Sequence, residues 1–326
     1  MVLPKAARTA LVLTVLCFMH GTVLSQHRYA LIIGGLGGAP DQIARIETHL
    51  EATFNTLSGP LAFDEVTVLA ERTLAGKSFV KGESTAENIR GWFASLASTA
   101  TPQDEVYVLL FGHGSYDGSH SALNIPRRDL YDRDYAELAH ALNAGRMVWI
   151  CTMSASGPFV QALSAPDHIV ITATRTGTQR NQTVFPQFLV EALAAPSSDL
   201  DRDGSLSVLE VFQYAAEKTA AHYNEAGHLA TEHSLLEDTG DGEGVRVEAL
   251  NDSAEGHLAG ITYLRRGTIL VVADDALAQE RSMLEGRIAE LKTRKQDLSD
   301  TAYYAELETL FVALARLNDR IEAQLE

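Results

Sequence analysis

Five short apolar runs, each closed by glycine or small polar residues and separated by helix-patterned stretches, constrain the fold of this chain more than any other feature. They are "RYALIIGG" (28–35), "EVTVLA" (65–70), "EVYVLLFGHG" (105–114), "RMVWICT" (146–152) and "HIVITAT" (168–174). Between them, Ile43, Ile46, Leu50, Phe54 and Leu57 recur at helical spacing. Ile89, Trp92, Phe93 and Leu96 recur likewise behind a capping box read at Ser84 and Glu87, and further helices are expected near 132–144 and 157–164 and over "FPQFLVEALA". Strands that are apolar on both faces, alternating with helices, predict an α/β fold: a mostly parallel sheet sandwiched by helices. Chemistry in such sheets gathers beyond the carboxyl ends of the strands. Two strand ends stand out, "FGHG" and "CTMSASG".

Residues 1–25 read as a signal peptide rather than as fold. Lys5 and Arg8 precede the apolar "ALVLTVLCFM", which is short for a bilayer span, and "VLS" leads into Gln26. Its removal implies a secreted or periplasmic protein with no membrane segment left. The net charge of −17 then becomes −19, which argues against a nucleic-acid partner. Cleavage also takes Cys17, one of two cysteines. Cys151 alone remains and has no partner for an internal disulfide, so it is either buried or reactive.

After the α/β region (26–195), "DLDRDGSLSVLE" (199–210) has the spacing of a twelve-residue EF-hand loop. Asp199, Asp201 and Asp203 stand at positions 1, 3 and 5, Gly204 at 6 and Ser205 at 7, where the carbonyl is the ligand. Ser207 is at 9 and Glu210 at 12, the bidentate position. Helical patterns flank the loop, so it is expected to hold one calcium ion in a structural role. Residues 240–270 lose periodicity and read as loop or linker. In the tail (271–326), Leu284, Ile288, Leu291 and Leu298 follow heptad steps interrupted by Lys295. Tyr303, Leu307, Leu310, Leu314, Leu317 and Ile321 repeat at 4-3-4-3-4, and "DLSD" lies between the two sets. This pattern predicts an antiparallel coiled-coil hairpin over 274–325 that packs on the domain or joins a protein partner.

The strand motifs resemble those of the caspase–legumain superfamily of cysteine peptidases, most closely its bacterial legumain-like branch. "HRYALIIGG" is similar to the family's first strand, "FGHGS" to its histidine strand, "MVWICTMSASG" to its nucleophile strand and "HIVITATRTGTQRN" to the strand that follows. The resemblance spans about residues 27–195, with the calcium-like loop and "TEHSLLEDTGDG" belonging to the same branch. It implies a caspase-like fold, a peptide or protein substrate, His113 as general base and the Gly114 N–H as an oxyanion donor. One departure matters. Legumains carry Cys-Glu-Ser-Gly after a strand that begins Met-Val. Matching Met147-Val148 and Ser156-Gly157 without a gap puts Ser154 at the nucleophile position and leaves Cys151 three residues earlier, inside the strand.

A hydroxyl does not form the resting ion pair with imidazole that drives a cysteine–histidine dyad. Spacing gives His113 no evident third residue, although Asp117 lies four residues on. A non-catalytic relative is therefore the leading expectation. The alternatives are a serine-dependent hydrolase using Ser154 and a peptidase acting through Cys151.

Overall fold

The computed structural model describes residues 26–74, 76–267 and 298–322, together with 277, 280, 281, 283, 284, 286–288, 291 and 294. The expected signal peptide lies outside the described residues.

In chain order the strands are β1 (Arg28–Gly34), β2 (Glu65–Ala70), β3 (Gly82–Glu83), β4 (Glu105–Phe111), β5 (Gly114–Tyr116), β6 (Ser121–Leu123), β7 (Leu130–Tyr131), β8 (Arg146–Cys151), β9 (His168–Thr172), β10 (Leu206–Ser207), β11 (Leu235–Glu237) and β12 (Tyr263–Arg265). The helices are α1 (Pro40–Ser58), α2 (Ala86–Ala97), α3 (Asp132–His140), α4 (Pro158–Leu163), α5 (Phe185–Ala194), α6 (Val208–Glu225), α7 (His257–Gly260) and α8 (Asp300–Glu322).

Seven strands form one sheet in the order β11-β9-β8-β4-β1-β2-β3, parallel throughout except for β11. The α/β class read from the sequence is thus the class observed. Each central strand divides its side chains between two cores, because successive residues point to opposite faces. Tyr107, Leu109 and Phe111 of β4 join Leu50, Leu189 and Phe212 from α1, α5 and α6. Val106, Val108 and Leu110 join Phe93, Tyr135 and Phe159 from α2, α3 and α4. Trp149 of β8 is fully buried in that second core, with Phe93 stacked 6.1 Å away and Tyr135 edge-on at 6.2 Å.

From β1 the chain moves outward to β2 and β3, then returns to lay β4 and β8 on the other side of β1. The direction of winding reverses between β1 and β4. A crevice opens at such a switch point, beyond the carboxyl ends of the strands. Glycines line its floor: Gly112 has φ +138°, and a side chain there would come within 3.1 Å of the Gly35 backbone.

Three local expectations change. Thr85, not Ser84, caps α2 by accepting from the Asn88 N–H at 3.3 Å; Ser84 is fully buried and donates instead to the Gly34 carbonyl at 2.7 Å. Between β4 and α3, strands β5, β6 and β7 form a small antiparallel sheet that the unpatterned sequence "GSYDGSHSALNIPRRDLY" does not announce. Finally, residues 240–267 are not a free spacer. Val245 exchanges backbone hydrogen bonds with Leu236, and Leu250, Ala259 and Leu264 are buried in the first core.

In the tail, Ile288 and Leu291 share one buried cluster with Tyr303 and Leu310, whereas Leu277 shares another with Leu317 and Ile321. Much of the expected hairpin's first half lies outside the described residues. Leu310 is 2% exposed in the middle of α8, so Leu310→Pro would remove both a packing anchor and a backbone donor. Proline inside a helix costs about 3 kcal/mol or more, and circular dichroism of that variant is expected to show helix loss confined to the tail.

Candidate active site and acidic loop

His113 and Ser154 stand just beyond the carboxyl ends of β4 and β8, which are paired neighbours in the sheet. The fold therefore brings together the two residues singled out from the sequence. Their hydrogen bonds, however, run elsewhere. Ser154 Oγ accepts from the Gly114 N–H at 3.2 Å and lies 3.3 Å from the Gly114 carbonyl, to which it donates. The Gly114 N–H, expected to face an oxyanion, is occupied by this hydroxyl. Ser154 is only 2% exposed. Gly114 must be glycine here, because a Cβ would sit 2.0 Å from the Ser154 carbonyl oxygen.

The His113 imidazole meets Gln42 in the first turn of α1, with Nε2 2.9 Å from Gln42 Oε1. With the amide oxygen accepting, Nε2 carries the proton and Nδ1 the lone pair, so Nδ1 is the only atom left for base work. Asp117 does not orient this ring: its carboxylate accepts the Ser119 and His120 N–H groups in the β5–β6 turn. Gln42 was not among the residues read from the sequence, and nothing in its spacing marks it.

The segment after β8 is held firmly. Ala155 adopts φ +56° and donates its N–H to the Gln179 carbonyl at 2.7 Å. Ser156 Oγ accepts from the Thr174 N–H, and the Gly157 N–H bonds to Thr174 Oγ1, both at 3.1 Å. The Ser156-Gly157 step thus fastens this turn to the end of β9. Cys151 is the last residue of β8, wholly buried in the second core, and burial pushes its thiol well above the ordinary range.

A small cavity beside His113 is lined by Gln42, Arg45, His49, Phe111, Thr183 and Pro186 among others. Burial, reinforced by Arg45, holds the His49 pKa down to about 4 from its usual value near 6.5. A histidine kept neutral in the fold contributes stability that is complete above the unfolded pKa and is lost as pH falls through it towards the folded one. Between pH 6.5 and 4.5 this loss should be on the order of 2 kcal/mol. Denaturant titrations across that window should show His49→Gln with a flatter pH dependence than wild type.

The 199–210 loop wraps its own carboxylates. One oxygen each from Asp199, Asp201 and Asp203 lies within 4.8 Å of the others. Asp199 accepts the Asp203 and Gly204 N–H groups at 3.1 and 3.0 Å, Asp201 accepts Asp203 N–H at 3.0 Å, and Gly204 makes the turn at φ +81°. Ser205 donates its N–H to Asp203 at 2.6 Å and accepts Gly267 N–H at 3.0 Å. Glu210 forms a capping box with Ser207 at the start of α6 and reaches back to the Leu200 N–H at 2.9 Å. Burial and the acidic neighbours push the Asp201 carboxyl up to about 6. Arg281 from the tail pairs with Asp203 at 2.9 Å. An all-oxygen donor set converging on one turn fits a hard cation. β10, inside this loop, pairs with β12, so the loop is braced by the 240–267 segment.

No family model and no curated protein matches this chain. Among solved structures it is similar to caspase-1 from Spodoptera frugiperda, at 12% identity over 65% of this chain and 86% of that one, with a TM-score of 0.43. It is also similar to the Drosophila initiator caspase Dronc, at 11% identity over 68% and 82% and a TM-score of 0.42. A structure of pro-sf-caspase-1 aligns at 15% identity over 65% of this chain and 91% of that one, with a TM-score of 0.42.

Proposed function

We propose that this chain is a caspase–legumain-type peptidase-fold protein that does not cleave peptides, an exported platform stiffened by calcium at the 199–210 loop. The observation that carries the reading is the direction of the Ser154 hydroxyl. It bonds both backbone groups of Gly114, while the His113 imidazole donates to the neutral Gln42 amide. A serine nucleophile needs a base aimed at its proton and a carboxylate or comparable group that steadies the imidazolium as it forms. Gln42 offers a dipole in place of that charge.

Cys151 is a poorer candidate still. Its thiol is buried within the sheet's core, on a strand whose backbone is paired on both sides. In place of catalysis, a binding role for the tail is supported by Tyr304, Phe311 and Val312, which are 57%, 49% and 42% exposed along α8. A protein partner of matching apolar character would cover them.

Incubation of residues 26–326 with a peptide library, with and without calcium, tests the reading. Wild type and Ser154→Ala should give the same background. Cleavage lost only in Ser154→Ala would make the chain a serine-dependent hydrolase, and cleavage lost only in Cys151→Ala would make the thiol the nucleophile.

A further inference from the structure

The sequence "EDTGDGE" (237–243), just after the edge strand β11, plays no part in either site described above. Glu237 ends β11 opposite Val170 of β9 and is fully buried. One of its oxygens, Oε1, accepts the Gly240 N–H at 2.6 Å and the Asp241 N–H at 3.1 Å. The other, Oε2, is buried and has no hydrogen-bond partner. Leaving a carboxylate oxygen unpaired inside a protein is costly unless something charged or donating meets it.

The neighbours are acidic as well. One carboxylate oxygen each from Glu237, Asp241 and Glu255 falls within 4.8 Å of the others. Glu255 is 8% exposed and accepts the Asp238 N–H at 2.5 Å and the Thr239 hydroxyl at 2.9 Å. Asp238, between them, is already committed: its two oxygens accept the Gly256 and Ala259 N–H groups at 2.8 and 2.7 Å. Among the described residues, no lysine, arginine or histidine forms an ion pair with Glu237, Asp241 or Glu255. Three carboxylates thus converge without a basic partner, and one presents a buried, unused oxygen.

We propose that Glu237, Asp241 and Glu255 hold a second divalent cation of the calcium class, at the sheet edge. Donors that are all carboxylate oxygens suit a hard ion, whereas zinc prefers sets that include histidine nitrogen or cysteine sulfur. Calcium suits the irregular arrangement better than magnesium, which demands near-octahedral geometry. Asp241 is exposed, so water completes the coordination on that side. Bound there, the ion ties β11 to the 255–259 segment that leads into β12. The site is independent of the 199–210 loop and of the reading of Ser154.

Counting ions separates the two calcium sites. The chain spanning 26–326 is stripped with chelator, titrated with calcium chloride by calorimetry, and its bound metal measured after gel filtration. Wild type should bind two ions, Asp241→Asn one, Asp201→Ala one and the double variant none. Asp241 is exposed, and asparagine keeps an oxygen for the Glu243 N–H that Asp241 accepts at 2.7 Å, so this variant should fold. Glu255→Gln provides an independent second variant and should lose the same ion. If Asp241→Asn and Glu255→Gln both retain the wild-type count, the cluster is held by a shared proton and the proposal is overturned. Loss of an ion in Asp201→Ala alone would overturn the proposal and leave only the 199–210 site standing.

Discussion

Ser154→Cys is expected to label with a small thiol alkylator roughly tenfold faster or more than Cys151, because thiolate fraction sets cysteine reactivity. The new sulfur would stand at the end of β8 against the Gly114 N–H, a donor that now meets the serine hydroxyl at 3.2 Å. That donor favours an anion. His113, on the neighbouring strand end, carries its lone pair at Nδ1 while Nε2 is held by Gln42. A thiol is acidic enough for a nearby imidazole to ionise, whereas a hydroxyl is not. Cys151→Ala in the same background removes the competing thiol and should leave the labelling intact. His113→Ala should slow it. Equal rates for Ser154→Cys and wild type would mean that position 154 is closed to reagents as well as to chemistry.

Loss of the ion from the 199–210 loop alone is expected to lower the melting temperature by about 5–10 °C. Calcium at 100 times its Kd would stabilise the fold by about 2.7 kcal/mol, and each kcal/mol shifts the melting temperature of a domain this size by about 2–4 °C. The physical origin lies in the clustered carboxylates of Asp199, Asp201 and Asp203, whose mutual repulsion a divalent ion removes. Without it, Arg281 supplies part of the compensation through its pair with Asp203. Asp201→Ala should shrink the difference between calcium and chelator, leaving only the contribution of the Glu237 cluster. Wild-type melting curves that coincide in calcium and in chelator would show that the loop is acidic and nothing more.

Much of the layout was legible because the central strands are apolar on both faces. Continuous runs such as "VYVLLF" and "MVWIC", alternating with helix-patterned stretches, fit a covered parallel sheet, and Gly112 after the first of them marks where the crevice opens. His113 was visible as a polar residue just beyond such a run, whereas Ser154 was singled out only by the resemblance that aligns Ser156-Gly157 with the family's Ser-Gly step. The partners of those side chains were not legible. Gln42 reaches His113 from a helix 71 residues earlier in the chain, through a neutral amide that carries no spacing signature. Likewise, Ser84 and Thr85 are both good caps, and only the burial of Ser84 against Gly34 decides between them. The stretch 240–267 reads as a linker because its apolar residues are sparse. Its hold on the core comes instead from isolated contacts at Leu250, Ala259 and Leu264, and from Asp238 and Glu255 tying backbone to backbone.

The central claim is that Ser154 is not a nucleophile, and a serine-directed fluorophosphonate tests it most directly. Intact-mass spectrometry of residues 26–326, incubated with the reagent in calcium, should show the unmodified mass, unchanged in Ser154→Ala. A single phosphonyl adduct mapped to Ser154, absent from both Ser154→Ala and His113→Ala, would contradict the account and establish a working serine–histidine pair.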